Sequence, residues 1–430
     1  MQLSNIKKQV SLATCSLLQV TATMANAADD WDVDTAMLFY SESDGRVSAI
    51  EPGIFTSTDL EDDGKLSFRV IVDVLTGATP NGAHATSVTQ TFTTPSGNSN
   101  YTVNPGDTPL DDTFRDTRVA FGADWEMPLD RMSRIIWGVN GSGEHDYISL
   151  GLSATYLRDL NNRNTTVSAG LAFNSDTINP EGGIPTEFSP MRSSAINRSS
   201  EDDTKTITDF IVGVTQVVDR NTLVQLNFTT GSTCGYQNDP YKIVTVVDPA
   251  TGLPTVNGLS MINTDALPYV YEKRPDSRQR NSLFFRTVHH LDEDVINFSY
   301  RYFWDDWDIR SHTLDFKYRY EMDSGNYLQP HLRYYTQDAA HFYTHSLVQG
   351  SDVDSGGNVL VEYASNDYRL AKSVTTTLGL KFGIPLGENS QLGLRAEMIN
   401  QSMDNTGVPV GEETPDLNAV VLQANYSFLW

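Results

Sequence analysis

The stretch VVLQANYSFLW alternates cleanly, with Val420, Leu422, Ala424, Tyr426, Phe428 and Trp430 on one face and Val421, Gln423, Asn425, Ser427 and Leu429 on the other. A period of two predicts a β-strand with one apolar and one mostly polar face. The pattern recurs along the chain. TRVAFGADWEM places Val119, Phe121 and Trp125 together, YISLGLSATYL places Ile148, Leu150, Leu152 and Tyr156 together, and HTLDFKYRY places Leu314, Phe316, Tyr318 and Tyr320 together. SRIIWGVN, TTVSAGLAFN, NTLVQLNFTT, VINFSYRYF, YLQPHLRYY and KSVTTTLGLKF read the same way. Three earlier segments, DVDTAMLFY, RVSAIEPGIF and LSFRVIVDV, add strands, with Asp44-Gly45 as a hairpin signal between the first two.

The connections alternate in length. Short turns fall at 61–64, 127–131, 158–164, 218–221, 290–294, 321–326 and 385–389. Longer segments lie between them, at about 76–115, 175–205, 231–280, 337–371 and 399–416. A transmembrane barrel has short periplasmic turns and long extracellular loops, whereas a soluble sandwich has no reason to alternate. Tyr147, Tyr156, Tyr302, Tyr320 and Tyr334 sit near strand ends, where amphipathic rings form girdles at headgroup level. The expectation is an all-β fold, a transmembrane antiparallel β-barrel of about sixteen strands with both termini on the periplasmic side.

Composition narrows this further. Hydrophobic residues make up 39% of 430 positions and mean hydropathy is −0.35. No uncharged apolar run of about 18 residues follows the first segment, so no spanning helix is expected. Lys7 and Lys8, an apolar stretch from Val10 to Val20, and Ala25-Asn26-Ala27 read as an export signal over 1–27, leaving one barrel domain over 28–430. Cys15 would leave with the signal and Cys234 would stand alone, so no internal disulfide is expected. The net charge of −25 argues against nucleic acid as a partner.

If the apolar faces meet lipid, the opposite faces line a lumen. There the strands place Arg69, Asp73, Arg118, Asp124, Arg134, Arg286, Arg301, Asp315, Lys317, Arg319, Arg333, Lys381, Arg395 and Glu397. Basic groups outnumber acidic ones, although the chain is acidic as a whole. One reading is a basic ladder that guides anionic or polar solutes through a pore. The other is internal pairing of arginines with carboxylates that merely fills the lumen. Both depend on register, because a slip of one residue reverses every facing. Little points to catalysis: there is no G-x-S-x-G, and no spacing groups Ser, His and Asp. Asp59, Glu61, Asp63 and Gly64 resemble a calcium loop loosely, but its required acid falls on Val70. His341 and His345 would share a metal only on a helix. No enzyme, cofactor or metal site is expected.

One stretch is more distinctive: VDVLTGATPNGAH, residues 72–84, carrying Asp73, Thr76, Gly77, Ala78, Thr79 and Pro80. With RVSAIEPGIF it resembles the uncharacterised bacterial outer-membrane family named domain of unknown function 3570, which carries D-x-x-[ST]-G-A-[ST]-P at the matching place. The resemblance implies a barrel without an agreed activity, and a setting near a periplasmic flavin transferase and thioredoxin-like proteins. Tyr426, Phe428 and Trp430 resemble the C-terminal signal that the barrel-assembly machinery reads in outer-membrane proteins. The expected function is a porin-like or specialised channel for small polar or anionic solutes in the outer membrane of a Gram-negative bacterium. The alternative is a non-conducting barrel, a scaffold or receptor for an envelope system. Oligomeric state stays open.

Overall fold

The computed structural model describes residues 31–430, apart from residues 44, 78, 87–88, 94–99, 108, 111–113, 193–196, 200, 257–265, 407 and 409–412. Sixteen long strands form a closed antiparallel barrel. They are β1 (Trp31–Glu42), β2 (Ser48–Asp59), β3 (Lys65–Thr76), β4 (Arg115–Asp130), β5 (Ser133–Gly143), β6 (Tyr147–Leu160), β7 (Thr165–Ile178) and β8 (Asp203–Val217). The second half comprises β9 (Thr222–Gly235), β10 (Ser277–Leu291), β11 (Asp294–Asp305), β12 (Arg310–Glu321), β13 (Tyr327–Gln337), β14 (Ser373–Pro385), β15 (Ser390–Met403) and β16 (Leu417–Leu429). Each pairs with its neighbours in sequence, and β16 pairs back on β1. Trp31 and Trp430 exchange backbone hydrogen bonds of 2.8 Å at that seam.

The alternation sorts the two faces. Leu152 is 63% exposed, Leu378 59% and Phe121 50%. Apolar side chains this bare on every wall of a closed sheet are a lipid-facing band. The 14 residues of β6 extend about 46 Å at about 3.3 Å per residue, and a tilt of about 45° leaves about 33 Å, enough to cross the hydrocarbon layer.

The connections at the end bearing the termini are all short: 60–64, 131–132, 161–164, 218–221, 292–293, 322–326 and 386–389. The turn expected at 127–131 is tighter than that. β4 runs on through Pro128 with a register shift before Asp130, because Met127 and Pro128 still pair with Ile135 and Arg134. At the other end, called here the loop end, three connections are short (43–47, 144–146 and 306–309) and five are long (77–114, 179–202, 236–276, 338–372 and 404–416).

Described stretches of the long connections form strands of their own. Pro190–Arg192, Ala266–Tyr271, Ile243–Val247 and Ser346–Val348 make a four-stranded sheet, and Gln90–Thr93 pairs with Asn100–Val103. Their side chains form two cores. One holds Phe92, Tyr101, Met191, Ile243 and Tyr269; the other holds Val244, Val246, Val270, Leu347 and Val353. Val244, Val246, Tyr269, Val270 and Val353 are 0% exposed. The barrel wall, with lipid on one side and the lumen on the other, buries less than this interlocked cap.

Candidate functional site

Cross-strand partners share a face, so register determines what lies beside what in the lumen. Arg301 on β11 stands opposite Thr313 on β12, and Thr313 opposite Tyr335 on β13. One step toward the termini, Ser299, Asp315 and Arg333 form the next row. The row beyond holds Asn297, Lys317, His331, Gly379 on β14 and Glu397 on β15.

That last row carries a charge ladder. His331 Nε2 lies 2.8 Å from Asp315 Oδ2, and Nδ1 lies 2.9 Å from Glu397 Oε1. An imidazole between two carboxylates can donate to both only as the cation. Glu397 reaches across β14 only because Gly379 lies beneath it: a Cβ there would sit 2.7 Å from Glu397 Cγ. Lys317 pairs with Asp315 at 3.5 Å and Arg395 with Glu397 at 3.6 Å.

The other basic groups on the lumen face divide. Arg118 pairs with Asp73 at 2.6 Å, Arg134 with Glu126 at 3.0 Å and Asp159 at 3.1 Å, and Arg319 with Glu321. Arg286 donates to Asn297 Oδ1 at 3.1 Å. Arg69 shares a cavity of about 220 Å³ with Asp32, Asp34 and Asp124. Lys381 lies 5.8 Å from the Tyr327 ring centre. Among the described residues, Arg69, Arg286, Arg301, Arg333 and Lys381 have no carboxylate within ion-pair distance. Asp315, opposite Arg333, is engaged by Lys317 and His331 instead.

The underside of the cap is a buried ion network. Arg274 pairs with Glu272 at 2.7 Å and Asp367 at 2.9 Å. Arg369 pairs with Asp367 at 2.5 Å and Asp239 at 2.6 Å. Ser365 Oγ donates to Glu272, and the Asp239 N–H donates to the same carboxylate. Burial alone would raise the Asp367 carboxyl, but Lys242, Arg369 and Arg274 outweigh it and hold the group far below the usual carboxylate range. Lys242 donates to the Pro80 carbonyl and lies 5.4 Å from the Tyr368 ring centre. The network thus ties the 236–276 and 338–372 connections to each other and to the first long loop.

Between wall and cap lies a chamber of about 800 Å³. Arg301, Phe303, Thr313, Arg333 and Tyr335 line it from the wall, and Asp239, Arg274, Asp367 and Arg369 from the cap. Glu144 and Asp146 line it from the 144–146 connection, Tyr147 from β6 and Lys205 from β8. Burial, with repulsion from Asp116 and Asp146, pushes the Glu144 carboxyl up to about 7. Asp116, Glu144 and Asp146 bring carboxylate oxygens within 4.8 Å of one another, the donor type a hard cation takes. Tyr241 donates to Asp146 at 2.6 Å.

The stretch 72–84 joins barrel to cap. Asp73 is on the lumen wall with Arg118. Thr76 ends β3, and Gly77 follows at φ +102°, its N–H donating to Phe114 O at 3.1 Å. Thr79 continues the exit, and Pro80 supplies the carbonyl that receives Lys242. Ala78 and the expected signal segment 1–27 lie outside the described residues. Tyr426 and Phe428 stack at 5.2 Å, and Trp430 closes the seam. Reading single strands missed His331, whose partners lie on other strands, and the cap charges, which sit in connections. Their signal was present only as acids and bases crowded into YEKRPD and NDYRLAK.

Solved structures match at low similarity. Pseudomonas aeruginosa OccK5 (OpdH) is 8% identical over 94% of this chain and 98% of its own, with a TM-score of 0.42. Pseudomonas putida OprB is 9% identical over 94% of each chain, with a TM-score of 0.43. A bacterial polysaccharide outer membrane secretin is 9% identical over 94% of this chain and 100% of its own, with a TM-score of 0.44. No curated protein matches. A family described as "Protein of unknown function (DUF3570)" matches residues 7–428, and the chain belongs to that family.

Proposed function

We propose that this barrel is an outer-membrane, porin-like channel for small polar solutes, with a preference for anions. The observation that carries the reading is the pair Arg301 and Arg333, unpaired and facing a chamber in the lumen. Barrels of sixteen strands are wide enough to hold an aqueous path. A lumen face on which pairing leaves several cations free favours anions, whatever the net charge outside. The reading assigns no catalytic step and no cofactor. Residues 1–27 serve as the export signal, and Tyr426, Phe428 and Trp430 address the chain to the barrel-assembly machinery.

Proteoliposome swelling in isosmotic solutions of an anionic, a neutral and a cationic solute of similar size tests this. Fastest entry of the anion is expected. No entry of any solute through protein shown to be folded overturns it. A second reading, a non-conducting receptor or scaffold, draws on the cap, whose two cores and ion network build a body over the loop end. The same assay separates the two.

A further inference from the structure

We propose that the chamber contains a saturable binding site for a small organic carboxylate, seated on Arg301 and Arg333. The proposal rests on the channel reading and names its solute class. The two arginines lie two strands and one row apart, roughly 10 Å across and about 7 Å along the sheet from ordinary strand spacing. Their Cα atoms are then about 12 Å apart, within the combined reach of two arginine side chains. Thr313 lies on the strand between them, directly opposite Arg301 and opposite Tyr335 on its other side. All four line the chamber.

The carboxylates on the strands beside the pair are already engaged, while Glu144 and Asp146 line the chamber from the 144–146 connection. Asp305 takes Arg278 at 2.5 Å, Asp315 takes Lys317 and His331, and Glu397 takes His331 and Arg395. Two uncompensated guanidiniums in a confined space are a poor resting arrangement and a strong receptor, because planar forks bind a carboxylate through paired hydrogen bonds. The neighbouring walls are aromatic. Arg301 lies 5.7 Å from the Phe303 ring centre, and Tyr335 borders the same space. Such walls suit the carbon body of an organic acid better than an inorganic oxyanion. Among the described residues there is no α-helix, so no α-helix N-terminus there supplies a phosphate cradle.

His331 is a positioning residue in this scheme: it withholds Asp315 from Arg333. Calorimetric titration of the folded, detergent-solubilised full chain with sodium succinate and with sodium sulfate tests the site directly. Saturable succinate binding is expected, at least tenfold tighter than sulfate. It should weaken at least tenfold in Arg301→Ala/Arg333→Ala and stay unchanged in Arg134→Gln, whose side chain is paired outside the chamber. His331→Gln should weaken binding several-fold by freeing Asp315, and adding Asp315→Asn should restore it, which a merely structural loss would not allow. Absence of saturation, equal affinity for sulfate, or indifference to the double arginine variant overturns the site. Anion-selective conductance in protein that does not bind succinate would leave the channel reading standing and remove this one.

Discussion

Asp367 offers the sharpest test of the cap. The residue is fully buried, and its carboxylate accepts from Arg274 at 2.9 Å and from Arg369 Nε at 2.8 and 2.9 Å. Replacing it by Asn keeps the shape and removes the charge. Breaking a buried ion pair from one side costs about 3–5 kcal/mol. Here Arg274 keeps Glu272 and Arg369 keeps Asp239, so the low end applies, about 3 kcal/mol, or roughly a hundredfold in the closed-to-open ratio. The barrel strands take no part in the network, so the loss should be confined to the cap. Limited proteolysis reads the open population when reclosing is fast. Cleavage within 338–372 should accelerate about a hundredfold in Asp367→Asn, while the barrel retains heat-modifiable migration on gels. Cleavage rates within a few-fold of the parent would refute the reasoning. Because this carboxyl is held below its unfolded value, its contribution is complete above about pH 4 and is lost as pH falls through the folded value. The gap in protection between the parent and Asp367→Asn that this charge supplies should therefore not be lost as pH falls from about 7 to about 5.

Three further predictions follow from single groups. Gly77→Ala places a side chain at φ +102° and drives its Cβ into the Arg46 carbonyl, whose carbon would be 2.9 Å away; strain of about 1–3 kcal/mol plus the overlap should lower refolding yield, and an undiminished yield would contradict the account of this turn. Glu144 is neutral below its value of about 7 and charged above it, so raising pH from about 6 to about 8 adds negative charge to the chamber and should reduce anion preference. Glu144→Gln should flatten that dependence, and an unchanged pH slope in the variant would count against it. Phe428→Ala with Trp430→Ala should impair barrel assembly in cells but not refolding in detergent, since the seam between Trp31 and Trp430 is made by backbone groups; normal assembly in cells would show that these rings carry no address.

Much of the barrel could be read from local alternation, because a strand between lipid and a lumen announces itself one residue at a time. Leu150, Leu152, Leu171, Leu378 and Leu422 are all exposed where the pattern put them on the apolar face. The cap was not legible in the same way. KIVTVVD breaks the alternation, and its continuous apolar run is the mark of a strand buried on both faces, but its partners lie far off: Thr245 pairs with Tyr269 and with Ser346. Segments read as long loops are therefore a folded body. The lumen charges show the same limit. Arg301 and Arg333 are visible as basic positions on polar faces, yet that Asp315, opposite Arg333, is engaged by His331, which also reaches Glu397 across three pairings, is not. The role of Gly379, which lets Glu397 cross β14, exists only once register is known.

An open, anion-preferring path would show itself in the currents the barrel carries. The most direct measurement is the reversal potential of the purified, refolded protein in a planar bilayer under a potassium chloride gradient, together with single-channel steps. Discrete steps are expected, with a reversal potential displaced toward that of chloride and the displacement diminished in Arg301→Ala/Arg333→Ala. Discrete steps displaced toward potassium would contradict the anion preference and hand selectivity to the acidic groups of the cap and rim. Silence from protein shown to be folded would contradict the channel itself.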